Sequence, residues 1–317
     1  MYVQKRIKMR HFINLKDIPA KDLRKIISDA KKRKNLRKKM NHLDLDKDAP
    51  LKGKLLIQMF EKSSLRTRLS FYLAIRQLGG NTLTLRPNEL HLSKGGESIE
   101  DTAKILSNFG NAFMLRTDSD KKLEEFKKYL SIPIINGLSP SSHPTQILSD
   151  IFTVEEIKKK PIHKLNIAWI GDCNNVLNSL IAASIKFSFK LKIGCPQKYN
   201  PVKNIIEYIK KNDNKIDIYS SPKKAAINAD VLFSDKVISI NDKVNKTKKL
   251  NSFKKFKIDE KLMGYAKKDC IFLHCLPRGT EVTEKVFSSK QSKVWIQALN
   301  RVHVQKSILL YCFEKLR

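Results

Sequence analysis

The chain has 317 residues, more than one hydrophobic core usually spans, so we expect two domains. Hydrophobic residues make up 41% of it and aromatic residues 8%, which excludes wholesale disorder. Its 63 Lys and Arg against 31 Asp and Glu give a formal net charge of +32, which indicates an anionic partner: a nucleic acid, an anionic membrane surface or a small anionic substrate. A composition that favours lysine over the whole surface is the alternative explanation of this charge.

The first half of the chain alternates short apolar runs with stretches of helical periodicity. In chain order we predict a basic helix in 16–48, strand 54–60, helix 63–80, strand 81–85, a helix from 98 to about 109, strand 111–116, helix 121–130, strand 132–136 and helix 143–160. Ser98 and Asp101 form an S-x-x-D start for the third of these helices.

A second series of the same kind begins at residue 165. It comprises strand 165–172, helix 179–187, strand 191–194, helix 204–211, strand 216–220, helix 221–229, strand 230–235, an irregular basic stretch 236–258, strand 270–275 and, after Asn300 and Arg301, a helix over 302–313. Strands that alternate with helices over the whole length predict parallel sheets covered on both faces. We therefore predict an α/β fold of two doubly wound parallel-sheet domains, 1–148 and 149–297, with a C-terminal helix in 298–317 that packs back on the first domain.

The cysteines and the N-terminus indicate the compartment. Five cysteines without a C-x-x-C pair fit neither a disulfide framework nor a zinc site and favour a reducing compartment; they are Cys173, Cys195, Cys270, Cys275 and Cys312. Residues 1–15 are basic but lack the apolar run of a signal peptide. No stretch approaches the roughly 18 consecutive apolar residues that span a bilayer. We therefore expect a cytoplasmic protein that engages no membrane.

The motif S-S-L-R-T-R, residues 63–68, lies where a strand gives way to a helix. Backbone N–H groups and the helix dipole favour an anion at such a place. The hydroxyls of Ser64 and Thr67 and the guanidinium of Arg66 add donors that suit a phosphate. Helix starts rich in Ser and Thr are more often plain N-caps, so the motif alone leaves both interpretations open.

Two further polar residues follow strands of the first series. His143 comes after strand 132–136, at the carboxyl edge where open α/β sheets place ligands, and it can donate to a carbonyl oxygen or exchange a proton. Arg116 ends strand 111–116 at the same edge. Taken singly, these are explained as a loop histidine and a surface arginine. Three polar motifs that converge on one edge favour a binding site.

The second series also carries polar residues at strand ends. The loop Gly171–Asn175 lacks G-x-G-x-x-G, so a dinucleotide site is poorly supported. Asp235 and Ser239 can bind a substrate amine or carboxylate, although a simple turn explains them equally well. Cys275 is a nucleophile only if a base lowers its pKa, and a buried inert thiol is the commoner outcome. Arg301 is either a second anion clamp or a surface residue.

The motifs together carry a resemblance that each lacks alone. In chain order they are RHFINLKDI, SSLRTR, GESIEDTAKILS, MLRT, HPTQILSD, IGDCNN, FLHCLPR and ALNRVHVQKSIL. Their order and spacing resemble the aspartate/ornithine carbamoyltransferase family over nearly the whole chain, and its ornithine-specific members most closely. The motif HCLP is typical of the ornithine and acetylornithine members and differs from the aspartate-specific ones.

The resemblance implies an activity and an architecture. The expected reaction moves the carbamoyl group of carbamoyl phosphate to the side-chain amine of L-ornithine, giving L-citrulline and phosphate, in arginine biosynthesis or degradation. The fold expected is the two-domain α/β type of this family, in a homotrimer or an assembly of trimers. Family members need no metal and no organic cofactor.

The resemblance also assigns residues. Carbamoyl phosphate binding is expected from Ser64, Leu65, Arg66, Thr67, Arg116, His143, Gln146, Cys275, Leu276 and Arg301. Ornithine binding is expected from Asn175, Asp235, Ser239 and Ile240. The catalytic residues among these are expected to be Arg116, His143, Asp235 and Cys275.

The chain departs from the family pattern in three places. Leu65 replaces the first threonine of the usual S-T-R-T-R and matches acetylornithine-type relatives, so an N-acetylornithine-type carbamoyltransferase is the alternative within this enzyme class. Residues 239–241 read S-I-N instead of S-M-G, which changes the wall against the aliphatic chain of the substrate. Lys94 stands in the loop where the family offers a glutamine to a neighbouring subunit's site.

A basic nucleic-acid-binding protein is the alternative from another class. It requires clustered Lys and Arg with interleaved aromatic residues. The Lys and Arg residues instead spread over every predicted helix, and no RNA- or DNA-binding motif is present. Arg66, Arg116 and Arg301 favour a small phosphate over a polymer as the anionic partner.

Overall fold

The computed structural model describes residues 9–86, 96–212, 215–238 and 245–316. The chain divides into two compact units, one formed by Met1–Pro140 with Val302–Arg317 and the other by Ser141–Arg301. The domain limits predicted from the sequence, 1–148, 149–297 and 298–317, stay a prediction beside this division. In the described part of the chain, no helix is both long and apolar enough to cross a membrane.

The first unit is built on a four-stranded parallel sheet. Its elements in chain order are α1 (Ala20–Leu36), β1 (Leu55–Phe60), α2 (Leu65–Gln77), β2 (Asn81–Leu85), α3 (Ile99–Phe109), β3 (Ala112–Arg116), α4 (Asp120–Tyr129) and β4 (Ile134–Leu138). The strand order is β2-β1-β3-β4, and every pairing is parallel. The chain steps one way from β1 to β2 and the other way from β2 to β3. Right-handed crossovers therefore place α2 on one face and α3 and α4 on the other.

The local sequence explains several of these boundaries. The Ser98 side chain accepts the Asp101 N–H at 3.0 Å, which confirms the predicted S-x-x-D start of α3. Both faces of the central strands are covered, so β1 and β3 are almost wholly buried. Phe113 of β3 packs on Phe126 of α4 with ring centroids 5.2 Å apart, within a core cluster on that face of the sheet.

The second unit contains a five-stranded parallel sheet. Its elements are α5 (Pro144–Lys158), β5 (Asn166–Ile170), α6 (Asn175–Phe187), β6 (Lys190–Gly194), α7 (Lys203–Asn212), β7 (Ile216–Tyr219), α8 (Pro222–Ala226), β8 (Val231–Ser234), α9 (Lys246–Phe253), α10 (Glu260–Met263), β9 (Ile271–His274), α11 (Glu284–Phe287) and the first part of α12 (Val294–Cys312). The strand order is β7-β6-β5-β8-β9, again all parallel. The prediction of two doubly wound parallel sheets is confirmed.

Two sequence predictions within this unit are wrong. The stretch 236–258 is not irregular throughout, because α9 forms within it behind Asn245, whose side chain accepts the Lys248 N–H. Phe253 of that helix is buried, with its ring centroid 5.1 Å from that of Tyr199. The sequence pattern did not indicate this helix because the stretch contains many lysines and only a few apolar residues.

The last helix also begins earlier than predicted. It starts at Val294, so Asn300 and Arg301 lie inside it instead of preceding it. Asn300 does not act as a cap because its side-chain amide donates to Thr153 Oγ1 and Glu156 Oε2, both at 3.0 Å. The position of this asparagine is therefore explained by a tertiary contact and not by a cap at the start of a helix.

One buried carboxylate in the first unit accepts hydrogen bonds from three cationic side chains. Asp46 accepts from Arg33 of α1, from Arg37 directly after that helix and from Lys306 of α12, at 3.0, 2.8 and 2.6 Å respectively. The Lys306 side chain is fully buried, and this burial lowers its pKa to about 8. Since an isolated buried charge costs several kcal/mol, Asp46 ties the last helix to the first one.

Removal of this carboxylate is therefore expected to destabilise the protein strongly. Asp46→Ala leaves Lys306 buried without its carboxylate and lowers the free energy of unfolding by about 3 kcal/mol. Asp48→Ala, which removes the exposed partner of Arg33, is the matched control and costs less than about 1 kcal/mol. Urea titrations followed by circular dichroism measure both losses. Equal losses in the two variants would contradict the account.

Candidate active site

The first candidate site lies where the strand order of the first unit reverses, between β1 and β3. Open α/β sheets bind ligands at the carboxyl ends of the strands on either side of such a reversal. Ser64 precedes α2 as its N-cap residue, and no capping hydrogen bond of its side chain is present among the described residues. Its Oγ instead accepts from the Arg116 guanidinium at 3.1 Å. One hydrogen bond thus joins two residues that the sequence singled out 52 positions apart.

Glu61 fixes the backbone around this contact. It follows β1, accepts from the Thr117 hydroxyl at 2.5 Å and forms an ion pair with Lys122. These contacts tie the loop after β1 to the loop after β3, which leads into α4. Glu61 therefore joins the segment next to Ser64 to the segment next to Arg116, independently of the hydrogen bond between those two residues.

A cavity of about 440 Å³ opens beside the first turn of α2. It is lined by Phe60–Leu65, Arg68 and Thr84–Arg86. Arg66 is half-buried and Thr67 is fully buried, whereas Leu65 has 71% of its surface exposed. A helix N-terminus with several cationic side chains beside it is suited to bind an oxyanion such as phosphate.

The second candidate site lies at the corresponding reversal of the second unit, between β5 and β8. Asn174 follows β5, and its Oδ1 accepts the N–H groups of Val176 and Leu177 at the start of α6. Its Nδ2 donates to Asp235 Oδ2, just beyond β8, at 2.8 Å. Asn175 is the first residue of α6. Burial raises the pKa of Asp235, and the hydrogen bond from Asn174 opposes the shift.

The segment after β9 is held by the buried side chain of His274. Its Nδ1 accepts the Leu276 N–H at 2.8 Å, so the ring proton of the neutral imidazole lies on Nε2 and donates to Glu281 at 3.0 Å. Burial works to raise the pKa of Glu281, but the hydrogen bonds from His274 and the Gly279 N–H hold it below its ordinary value. The backbone of Leu276, at a φ of +55°, is thereby fixed, and Cys275 is half-buried beside it.

The motif HPTQILSD lies at the start of α5, in this same unit. His143 precedes the helix, and its backbone N–H donates to Ser179 Oγ at 2.8 Å. Gln146 donates through Nε2 to Asp150 Oδ1 at 2.8 Å, and both residues are buried. Burial raises the pKa of Asp150 to about 7, against the hydrogen bonds of two glutamines and the charge of Arg301.

Known protein families match both halves of the chain. The carbamoyl-P binding domain of aspartate/ornithine carbamoyltransferases matches residues 10–156, and their Asp/Orn binding domain matches residues 163–312. The chain belongs to the aspartate/ornithine carbamoyltransferase family. The resemblance seen in the sequence motifs is therefore confirmed.

Individual relatives agree with this assignment. The chain is 41% identical over 306 residues to the ornithine carbamoyltransferase of Caulobacter vibrioides, covering 96% of this chain and 97% of that protein. Among solved structures it is similar to ornithine carbamoyltransferase from Pyrococcus furiosus, with a TM-score of 0.89, 36% identity and coverage of 96% and 97% of the two chains. The anabolic enzyme of Campylobacter jejuni gives a TM-score of 0.88 at 34% identity, with coverage of 97% and 100%.

The structure distributes the expected site residues of this carbamoyltransferase family member over the two units. The first unit carries Ser64, Leu65, Arg66, Thr67 and Arg116; the second carries His143, Gln146, Asn175, Asp235, Cys275, Leu276 and Arg301. Ser239, Ile240 and Lys94 lie outside the described residues. Among the residues that the structure describes, no three His, Cys, Asp or Glu side chains form a group that could hold a metal ion.

Sequence reasoning missed four residues that organise the second unit. Asn174 carried an N-cap signal at the head of α6, and Asp150 stands four positions after Gln146 on one helix face. Glu281 and Gln297 carried no signal, because each acts through a partner that the chain brings close only on folding.

Asp150 is expected to make stability depend on pH. Its pKa is about 7 in the fold against an ordinary value of 3.8, so the folded state keeps a proton that the unfolded chain releases between these values. This group therefore lowers the free energy of unfolding by about 1 kcal/mol per unit as pH rises from about 4 to 7. Asp150→Asn mimics the neutral form and removes that loss. In urea titrations across this range, the stability of the variant relative to the parent rises with pH; parallel curves would contradict the assignment.

Proposed function

We propose that this protein is an ornithine carbamoyltransferase, which moves the carbamoyl group of carbamoyl phosphate to the side-chain amine of L-ornithine and releases L-citrulline and phosphate. The observation that carries the proposal is the pairing of polar residues at both strand-order reversals, Arg116 with Ser64 and Asn174 with Asp235. The named relatives support ornithine, and none of those cited is an acetylornithine enzyme.

The phosphate group is assigned to the first unit. Carbamoyl phosphate is a dianion, so its phosphate requires positive charge and N–H donors. Ser64, Arg66, Thr67 and the backbone of Leu65 surround the start of α2, and Arg116 is anchored on Ser64. Guanidinium groups form paired hydrogen bonds with phosphate oxygens, which gives direction as well as charge to the binding.

The carbamoyl group is assigned to His143, Gln146 and Arg301, together with Arg116 and Thr67. When the amine attacks, the carbonyl carbon becomes tetrahedral and its oxygen gains negative charge. Donors placed at that oxygen are worth about 3 kcal/mol each in acyl transfer. We assign this task to His143 and Arg116, and the carbamoyl NH₂ to the oxygen of Gln146.

The amino acid is assigned to the second unit. Asn175, Asp235, Ser239 and Ile240 hold ornithine, with Cys275 and the backbone of Leu276 beside the reacting centre. The amine attacks in its neutral form, a C–N bond forms, and the C–O bond to phosphate breaks. The amine proton leaves with the phosphate, so no covalent enzyme intermediate is required. Fixing the two reactants in place supplies much of the remaining acceleration.

We propose the assembly and the setting of the enzyme from its family membership. The family resemblance supports a homotrimer or an assembly of trimers, placed in the cytoplasm, with a role in arginine metabolism. No nucleic acid and no membrane is required by the reaction. Of the +32 formal charge, Arg66, Arg116 and Arg301 are the residues that we assign to the anionic substrate.

An assay with four amines tests the substrate assignment. Incubation with carbamoyl phosphate and, in parallel, ornithine, N-acetylornithine, putrescine or aspartate is expected to give a ureido product with ornithine at a kcat/KM at least about 100-fold above the others, because a buried polar site discriminates strongly against a substrate that leaves it unpaired. Colorimetric detection of the ureido group measures the product. A product from another amine in place of ornithine would refute the assignment.

A charge removal tests the phosphate site. Arg66→Ala is expected to raise the KM for carbamoyl phosphate by about 100-fold or more, because a charged hydrogen-bond donor to the dianion is lost. Arg76→Ala removes an exposed arginine from the other end of α2 and serves as the control, with an unchanged KM. Initial rates at saturating ornithine give both constants. An unchanged KM in Arg66→Ala would remove this residue from the site.

A further inference from the structure

Four buried groups of the second unit form one chain of hydrogen bonds. The backbone N–H of His274 donates to Gln297 Oε1 at 3.0 Å, and Gln297 Nε2 donates to Asp150 Oδ1 at 2.9 Å. Gln146 Nε2 donates to the same Asp150 oxygen at 2.8 Å. Gln297, Asp150, Gln146 and His274 each have at most 2% of their surface exposed.

The chemistry of the donors fixes the direction of this chain. A backbone N–H can only donate, so the oxygen of the Gln297 amide must face His274 and its NH₂ must face Asp150. In its ionised form, above its pKa of about 7, the Asp150 carboxylate only accepts, and Oδ1 takes an N–H from each glutamine. The Gln146 amide is therefore oriented with its NH₂ toward Asp150.

The chain ends on an acceptor. Gln146 Oε1 is buried and accepts no hydrogen bond from any residue in the described part of the protein. A buried acceptor of this kind destabilises the protein until a donor reaches it. The donor that fits is an N–H group of a ligand, such as the NH₂ of a carbamoyl group.

We infer that Gln297 is a positioning residue for carbamoyl phosphate, which acts through Asp150 by orienting the amide of Gln146. It touches no substrate itself. Without Gln297, Asp150 loses one of its two donors and the link to the backbone of β9, so the Gln146 amide loses its fixed support. The inference rests on the proposed function, since it takes carbamoyl phosphate as the ligand of Gln146.

The test compares Gln297→Met with a matched control. Methionine keeps the volume of glutamine and removes both hydrogen bonds. Gln291→Met is the control: Gln291 donates to the Cys270 carbonyl just before β9, at 3.0 Å, whereas Gln297 contacts the end of that strand. The KM for carbamoyl phosphate, the kcat and the melting temperature are measured for both, first in the parent protein and then in a Gln146→Met background.

We expect Gln297→Met to raise the KM for carbamoyl phosphate about tenfold in the parent protein, which corresponds to the loss of about one hydrogen bond. In the Gln146→Met background the same change raises KM less than about twofold, because no amide remains to be oriented. Gln291→Met leaves KM unchanged. If Gln297→Met does not fold, Gln297→Glu replaces it, since glutamate keeps the acceptor for His274 and loses the donor to Asp150.

A purely structural role for Gln297 predicts other results. It would lower the melting temperature without a larger KM change than that of Gln291→Met, or raise KM by the same factor in both backgrounds; either outcome overturns the inference. A parent protein that carbamoylates ornithine while these variants fail to differ refutes the positioning role alone. A parent protein with no carbamoyl transfer to ornithine refutes the proposed function instead.

Discussion

In each unit the order of the parallel strands reverses, between β1 and β3 in the first and between β5 and β8 in the second. The crossover helices leave to opposite faces there, so the loops after the two central strands are the ones that diverge and leave room for a ligand. In the first unit these loops meet through the bond from Arg116 to Ser64, and in the second through the bond from Asn174 to Asp235. The proposed chemistry depends on this reversal of strand order, which occurs once in each unit.

Buried carboxylates hold the surrounding framework. Asp46 joins the first helix to the last, Asp150 joins two glutamines, and Glu281 joins the ring of His274 to the Gly279 N–H. Each accepts at least two hydrogen bonds, as a buried carboxylate must to offset its lost hydration. Part of the basic excess therefore serves structure: Lys306 pairs with Asp46 inside the first unit.

The alternation of strands and helices, the family and the reaction class were predictable from the sequence. Hydrophobic periodicity and short sequence motifs are local signals, and they placed β2 and the start of α3 at the correct residues. The sequence failed where a distant partner decides the outcome. Lys249 reads as one more surface lysine, yet it is buried in α9 and pairs with Asp172 at 2.7 Å. Gln297 belongs to no motif, and its partner Asp150 lies 147 positions away.

The central claim, that the two strand-order reversals hold the phosphate and the amino acid respectively, is tested most directly by a crystal structure with carbamoyl phosphate and norvaline, an ornithine analogue that lacks the attacking amine. The account predicts phosphate oxygens within hydrogen-bond distance of Ser64 and Arg116, and the amino and carboxylate groups of norvaline on Asn175 and Asp235. Either ligand bound away from its assigned residues would contradict it.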